Sequence, residues 1–160
     1  MIIIAFHAHR QEIDEGGFTL DNYSQVAMPH TTPDAAYTTP GYNLGDRYDN
    51  DNSSWKPVQT GEPDALVQFS GQLWLPEAGA LGAGDYYVAR IIKNGYPGVS
   101  IGAKICAKGA FAGDWVIDLS MQDIATAEDI YKLYLFVNLA SAYVNGCSLH
   151  SWWCGAKVAA

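Results

Sequence analysis

Charged side chains are scarce in this sequence. Asp, Glu, Lys and Arg make up 16% of the residues, whereas about a quarter is usual for a soluble domain. Apolar residues make up 49% of the chain. A surface with few charges suits contact with other protein, and a symmetric oligomer provides that contact most simply.

Basic residues are especially few. The chain has 9 Lys and Arg residues against 17 Asp and Glu residues, and its formal net charge is −8. Nucleic-acid binding needs cations that replace the counterions of the phosphates, and attraction to an anionic membrane also needs basic residues. The charge balance therefore argues against nucleic acid and membrane surfaces as partners.

Long apolar runs are also lacking. The opening MIIIAFHAHR has no basic segment, and its apolar stretch ends at Phe6, which is not the pattern of a signal peptide. No stretch approaches the roughly 20 apolar residues of a membrane span. We expect synthesis in a cytoplasm without a signal peptide, and no membrane insertion.

Cysteines are few and odd in number: Cys106, Cys147 and Cys154. Their spacing is not that of a zinc knuckle. Cys147 and Cys154 flank a short segment and are candidates to pair if oxidised. The alternative is three reduced thiols, because free cysteine is among the most buried residue types.

Catalytic motifs are missing as well. The letters GVSIG at 98–102 have the Gly-x-Ser-x-Gly spacing, but they stand in the stretch GVSIGAKICAKG, which predicts a strand and not the strand-to-helix turn of a nucleophile elbow. The sequence has no phosphate-binding loop and no His-Glu-x-x-His pair, so no acid, base or nucleophile is visibly positioned. We expect a protein that is not an enzyme. A small metalloenzyme of the cupin kind is the weakest alternative, because the central strands carry no histidine.

Short stretches with alternating apolar residues dominate what is present. ALVQFSGQLWLPEAG places Val67, Phe69, Leu73 and Leu75 on one face, as in a half-buried strand. DYYVARIIKNG is β-rich and ends in Asn94–Gly95, a pair that favours a type I′ hairpin turn. Residues 130–138 fit a strand better than a helix, because they are rich in aromatic and β-branched residues.

Further strands are predicted in MIIIAFHAHR, around 18–20 and 23–28, and in GVSIGAKICAKG, DWVIDLSMQD and SWWCGAKV. This number of short strands, with little helix, predicts an all-β fold: an antiparallel two-sheet jelly-roll sandwich. The length predicts a single domain over 1–160. The turn-rich stretch 41–64 is interpreted as a long surface connection.

The order of motifs resembles a known family. AFHAHRQ, NLGDRYDN, LVQFSGQLWLPEAG, DYYVARIIKNG, AEDIYKLYLFVN and SWWCGAKV are similar, in that order, to motifs in the globular head of complement component one, subcomponent q. Phe69, Pro76 and Gly79 match its central signature, and an insertion then separates Gly79 from Tyr86. In SWWCGAKV, Trp153 and Gly155 match the final strand.

This resemblance implies the tumour necrosis factor (TNF) type of jelly roll. Members of that family form homotrimers through aromatic and aliphatic faces, mostly bind ligands or receptors, and occur in bacteria and on phage particles. His7 and His9 share one face of the first predicted strand. The candidates for a trimer interface are His7, His9, Tyr134, Phe136 and Trp153. The alternative for the two histidines is a zinc site completed by a donor such as His150.

The polar N-terminal half contains two sets of candidate binding residues. Its aromatic residues lie near Asn and Asp, a combination that suits a carbohydrate site, with packing against the fold as the alternative: Tyr23, Tyr37, Tyr42, Tyr48 and Trp55. Of these, Tyr42, Tyr48 and Trp55 are the candidate ligand-binding residues. Asp46, Asp49 and Asp51 offer oxygen ligands for Ca²⁺. The sequence lacks the Gly and Glu of an EF-hand loop there, and a solvated turn is the alternative. No other cofactor is expected.

The expected function combines these points. We predict a non-enzymatic homotrimer at the surface of a phage or virus-like particle, as a capsid decoration, fibre or spike head. Its partners would be its own copies and other virion proteins, with host cell-surface glycan or a receptor as the candidate ligand. The alternative is a soluble ligand-binding jelly-roll module in a bacterial cytoplasm.

Overall fold

The chain forms two antiparallel β-sheets. The computed structural model describes residues 3–10, 22–35, 40–75, 86–107, 115–138, 144 and 151–159. The described residues contain no helix, and hence none that could cross a membrane. Their strands are β1 Ala5–His9, β2 Asn22–Gln25, β3 Tyr42–Leu44, β4 Tyr48–Asp49, β5 Ser54–Trp55, β6 Ala65–Leu75, β7 Tyr86–Lys93, β8 Val99–Ala107, β9 Trp115–Ala125, β10 Tyr131–Val137 and β11 Trp152–Ala159.

Each sheet has five strands. The first sheet has the order β3-β1-β11-β6-β9, and the second has the order β4-β5-β10-β7-β8. The first and last long strands of the chain pair directly, with Ala5 opposite Ala156 and His9 opposite Trp152. The predicted all-β, two-sheet jelly-roll sandwich is confirmed. The predicted strand at 18–20 and the insertion before Tyr86 lie outside the described residues.

Alternation places the core between the sheets. In β6, Val67, Phe69 and Leu73 are fully buried, while Gln68 on the opposite face is exposed. In β10, every second residue from Tyr131 to Val137 is fully buried. A helix would not bury alternate residues of this segment, so the predicted strand at 130–138 is confirmed, within one residue at each end.

Aromatic rings fill the centre of the core. Phe6 stacks on Tyr48 with ring centroids 4.6 Å apart and meets Trp153 edge-on at 4.7 Å. Trp55 meets Phe69 edge-on at 5.4 Å. Such tilted and offset pairs add to the free energy that ring burial already contributes. Strands β1, β5, β6 and β11 are held together by these contacts.

Gly155 is required by the same cluster. A Cβ atom built there would lie 2.6 Å from Cε1 of Phe6 and 2.8 Å from Cζ3 of Trp55. Both rings are fully buried, so neither can move aside without disturbing the core.

We therefore expect Gly155→Ala to lower the free energy of unfolding by about 1–3 kcal/mol, measured by urea denaturation. Gly102→Ala is the matched control, because its Cβ would meet the sulfur and methyl of the flexible Met121 side chain. Equal losses in the two variants would contradict this account of Gly155.

The stretch 41–64 is more ordered than a surface connection. It contributes β3, β4 and β5 to the two sheets, and Trp55 and Val58 are fully buried. An ion pair between Arg47 and Glu62 joins the two ends of the stretch, with Arg47 Nη2 2.7 Å from Glu62 Oε1. Hydrogen bonds from the Arg47 side chain and then from the backbone of Gln59 lower the pKa of Glu62 to about 2. The prediction of a long connection is corrected, because the buried Tyr48 and Trp55 side chains fix the segment to the core.

The turn between β7 and β8 begins as predicted. Asn94 has φ 63° and Gly95 has φ 76°, which are the positive values that a type I′ turn requires. The loop then continues through Tyr96 and Pro97 before Val99 pairs with Lys93. The side chain of Asn94 bridges to the next loop by accepting from Ile130 N and donating to Asp129. The turn residues are confirmed, and the loop is longer than a two-residue hairpin.

Candidate functional site

The first candidate site is the outward surface of the first sheet, called here the first-sheet face. Pairing of His7 with Tyr42 and with Cys154 places these three side chains on the same side. The face extends across β6 and β9 by the same alternation. Its described residues are Ile3, Ala5, His7, His9, Tyr42, Leu44, Leu66, Gln68, Ser70, Gln72, Trp74, Val116, Asp118, Ser120, Gln122, Ile124, Trp152, Cys154, Ala156 and Val158.

The first-sheet face mixes apolar side chains with uncharged polar ones and is almost free of charge. Ile3, Ile124 and Val158 are each more than half exposed, at 61%, 55% and 54%. Among the residues just named, Asp118 is the only carboxylate, and none is Lys or Arg. Protein interfaces show this chemistry, with charged residues depleted at the centre and aromatic residues enriched.

A row of imidazoles lies along one edge of this face. The His7 ring is 6.1 Å from the His9 ring, which is in turn 6.1 Å from the His30 ring. His7 also stacks on Trp152 at 5.3 Å. Burial, and then the neighbouring His9, lower the pKa of His7 to about 4. Burial, and then His30, lower the pKa of His9, while Asp34 opposes that shift. His7 and His9 are therefore neutral in the folded protein near pH 7.

A shallow hollow of about 180 Å³ lies beside this row. Its walls include Tyr42, Gln68, Ser70, Cys154 and Ala156. Cys154 is a free thiol, and burial raises its pKa, so it stays protonated near pH 7. The predicted partner of Cys154, Cys147, lies outside the described residues, as does His150.

The predicted carbohydrate residues do not form one site. Trp55 has no exposed surface and Tyr48 is 5% exposed, whereas Tyr42 is 37% exposed. The Tyr48 hydroxyl donates to the carbonyl of Met28 at 2.8 Å. This corrects the expectation for Tyr48 and Trp55, because a ring enclosed by the core offers no face to a sugar. Tyr42 lies on the first-sheet face.

The predicted calcium residues are not gathered into a cluster. Among the described residues, no group of three or more His, Cys, Asp or Glu side chains is placed to hold a metal ion. Asp49 instead accepts hydrogen bonds from the backbone N and Nδ2 of Asn52 at 3.1 and 2.7 Å. Asp46 Oδ1 lies 3.4 Å from Asn43 Nδ2. The Asp46, Asp49 and Asp51 carboxylates thus do not converge on one cation.

The predicted interface residues lie in three places. His7 and His9 are on the first-sheet face. Trp153 is fully buried inside one subunit, which corrects its assignment to an interface. Tyr134 and Phe136 point outward from β10, in the second sheet, on the opposite side of the sandwich. A single flat contact cannot use both outward faces of one sandwich.

The sequence prediction missed Tyr86 and Tyr96, and it did not connect Tyr23 with Phe136 on the second sheet. Tyr23 contacts Tyr96 and Phe136, and Tyr86 contacts Phe136. Alternation in β7 and β10 would have placed Tyr86 and Phe136 outward. Tyr23 and Tyr96 come from separate segments, and no local pattern brings them to the same place.

Comparison with known proteins gives the fold and no closer relationship. No family model and no curated protein matches the chain. Among solved structures, murine APRIL at pH 8.5 superposes with a TM-score of 0.63 and 8% identity, covering 98% of this chain and 99% of that chain. Murine APRIL at pH 5.0 gives 0.64 and 10% identity, with the same coverage.

Eiger TNF from S. frugiperda gives a TM-score of 0.55 and 11% identity, covering 99% of this chain and 94% of that chain. The two-sheet topology and these superpositions together show that the chain has the TNF-like jelly-roll fold.

Proposed function

We propose that this protein is a non-enzymatic binding module that works as a homotrimer and associates through the first-sheet face. The chemistry of that face carries the proposal. Exposed isoleucine and valine side chains surround uncharged Gln, Ser and Trp residues, and burial of such a surface favours association. Trimers are the assembly that the family resemblance implies.

The non-enzymatic part of the proposal is supported by the sequence. Its Gly-x-Ser-x-Gly letters at 98–102 run into strand β8, where the Ser100 hydroxyl donates to the carbonyl of Gly102 at 3.2 Å, and not into the strand-to-helix turn that a nucleophile elbow needs. A binding role needs suitable surfaces and no reacting group, and the described residues supply such surfaces.

The setting we propose is the surface of a phage or virus-like particle, with other virion proteins as further partners. The resemblance to heads that occur on phage particles and the low charge support this setting. Immunogold labelling of purified particles with an antibody against the chain would test it. Labelled particles would support the setting, and labelling restricted to bacterial cytoplasm would favour the soluble ligand-binding alternative.

Trimer formation has a direct test by light scattering. We expect a mass of about three times the subunit mass of 17.4 kDa. Ser120→Arg should bring the mass down to that of a single subunit at the same concentration. Ser120 is exposed on the first-sheet face, and a buried, unpaired guanidinium costs several kcal/mol.

Ser100→Arg is the matched control, because Ser100 is exposed on β8 in the second sheet. Circular dichroism should show the same β spectrum for both variants. A wild-type monomer would contradict the proposal, as would a Ser120→Arg protein that stays trimeric while Ser100→Arg dissociates.

A further inference from the structure

The outward surface of the second sheet carries a group of touching aromatic rings, called here the tyrosine patch: Tyr23, Tyr86, Tyr96 and Phe136, with Arg90. Tyr86 stacks on Phe136 with centroids 5.5 Å apart and planes 14° apart. Tyr23 lies 5.3 Å from Phe136 and 5.3 Å from Tyr96. Residues from β2, β7, β10 and the β7–β8 loop therefore form one continuous aromatic surface.

The rings at both ends of the patch remain open to solvent. Tyr96 is 49% exposed and Tyr86 is 36% exposed. Tyr134 supports the patch from below, since it is 8% exposed and its hydroxyl accepts from Tyr96 N at 3.2 Å. Exposed aromatic rings that are already held rigidly lose little conformational entropy when a ligand binds to them.

A cation without an anion lies within the patch. The Arg90 guanidinium carbon is 4.7 Å from the centre of the Tyr23 ring, and its buried Nε atom has no hydrogen-bond partner among the described residues. Within the described part of the chain, no carboxylate forms an ion pair with Arg90. In a chain of net charge −8, an unpaired guanidinium can receive a carboxylate from a ligand.

We propose that the tyrosine patch binds a sugar that carries a carboxylate, with the sugar ring against the aromatic faces and its carboxylate on Arg90. This inference rests on the proposed function and adds its ligand class. The exposed parts of the Tyr86 and Tyr96 rings offer apolar surface to the underside of a pyranose, and the tyrosine hydroxyls add hydrogen bonds at the rim.

Other ligand classes fit the patch less well. A nucleic acid presents many phosphates, and the patch has one guanidinium for them. A peptide that adds as a strand needs a free sheet edge, and the patch lies on a face whose strands β7 and β10 are paired with each other. A sugar with one carboxylate on its ring matches the single Arg90 guanidinium and the aromatic surface of the patch.

The patch is also compatible with the proposed trimer. The first-sheet face and the tyrosine patch are on opposite sides of the sandwich, so a trimer whose three first-sheet faces meet around the axis leaves the three patches open. A trimer would present three patches, and a surface with many sugars would then be bound with higher avidity than a single sugar.

The test compares acidic sugars with their neutral counterparts by isothermal titration calorimetry. The probes are 3′-sialyllactose against lactose, and trigalacturonic acid against galactotriose. We expect saturable binding of at least one acidic probe, and binding at least tenfold weaker for its neutral counterpart, because a hydrogen-bonded charge pair is lost. Absence of binding for both acidic probes would overturn the proposal.

Variants locate the site. Arg90→Gln should reduce affinity for the acidic probe about tenfold, and Arg90→Lys should recover part of it, since lysine keeps the charge and loses the planar fork. Phe136→Ala and Tyr96→Ala should both weaken binding. Tyr96 is exposed in a loop, so its variant stays informative if Phe136→Ala fails to fold.

Ile130→Ala is the control, because Ile130 is 37% exposed and belongs neither to the tyrosine patch nor to the first-sheet face. If it weakens binding as much as Tyr96→Ala, the patch is not the site and the proposal is wrong. Light scattering on the same samples separates the two proposals. A trimer that binds no acidic sugar contradicts this inference alone, and a monomer that binds one contradicts the proposed assembly alone.

Discussion

Replacing Trp153 by alanine should lower the free energy of unfolding by about 3–5 kcal/mol, because the change empties the middle of the aromatic core. Trp153 is fully buried. Its ring contacts Phe6 edge-on at 4.7 Å and lies parallel to Phe69 at 6.2 Å. Its indole N–H also donates to the Tyr48 hydroxyl at 3.2 Å, so the variant leaves a buried hydroxyl with one partner fewer.

Trp152→Ala is the matched control, one residue away on the same strand. Trp152 faces outward, is partly exposed, and stacks on His7. We expect its variant to keep most of the stability of the subunit and to weaken association. Urea denaturation followed by circular dichroism, together with light scattering, measures both effects. If Trp153→Ala gives a stable monomer while Trp152→Ala unfolds, the two faces of β11 have been assigned the wrong way round.

Trp152 and Trp153 show how much of a strand's orientation the sequence can predict. Neighbouring residues of a strand face opposite ways, and β6 and β10 follow this alternation almost without exception. SWWCGAKV is ambiguous, because both tryptophans are large and apolar. Which of them faces the core depends on register with β1 and β6, and a shift of one residue would exchange them.

The stretch 41–64 shows a second limit of the sequence. Its strands β4 and β5 have two residues each, which is too short for alternation to be visible. Tyr48 and Trp55 look like loop aromatics among Asn and Asp, yet they are buried anchors. Asn43 explains part of this order, since its side chain accepts from Tyr48 N and donates to Tyr48 O, as a strand neighbour would.

The candidate surfaces were only partly predictable for a related reason. The shared face of His7 and His9 follows from two-residue spacing in one strand, and the structure confirms that their rings are neighbours. The tyrosine patch combines β2, β7, β10 and a loop, and its existence depends on tertiary pairing. No single segment of the sequence contains enough of it to reveal a site.

Acidification should destabilise the protein well above the pH at which carboxylates titrate. The ordinary pKa of histidine is 6.5, and that of His7 in the folded protein is about 4. Between these values the unfolded chain binds a proton that the folded chain excludes, so stability falls as pH falls. His7 alone should cost about 3 kcal/mol by pH 4, at 1.36 kcal/mol for each pKa unit. Above pH 6.5 this penalty is absent.

Neighbouring groups make the effect specific to one edge of the first-sheet face. Trp152, Cys154 and Tyr42 surround His7 and carry no charge near neutral pH. In the part of the chain that the structure describes, His7 Nδ1 has no hydrogen-bond partner. His9 adds a second lowered pKa, which the carboxylate of Asp34 partly offsets. Protonation would also place positive charge on the proposed assembly surface, so the trimer should dissociate over the same pH range.

Urea denaturation and light scattering between pH 7.5 and pH 4.5 would measure both responses. His7→Phe keeps a ring on Trp152 and cannot take a proton, so it should flatten the loss of stability between pH 6.5 and pH 5. Carboxylates of ordinary pKa contribute little in that interval. If His7→Phe loses stability with falling pH as steeply as the wild type does, the acid response comes from other groups. The row of imidazoles would then pack the sheet without contributing to its pH dependence.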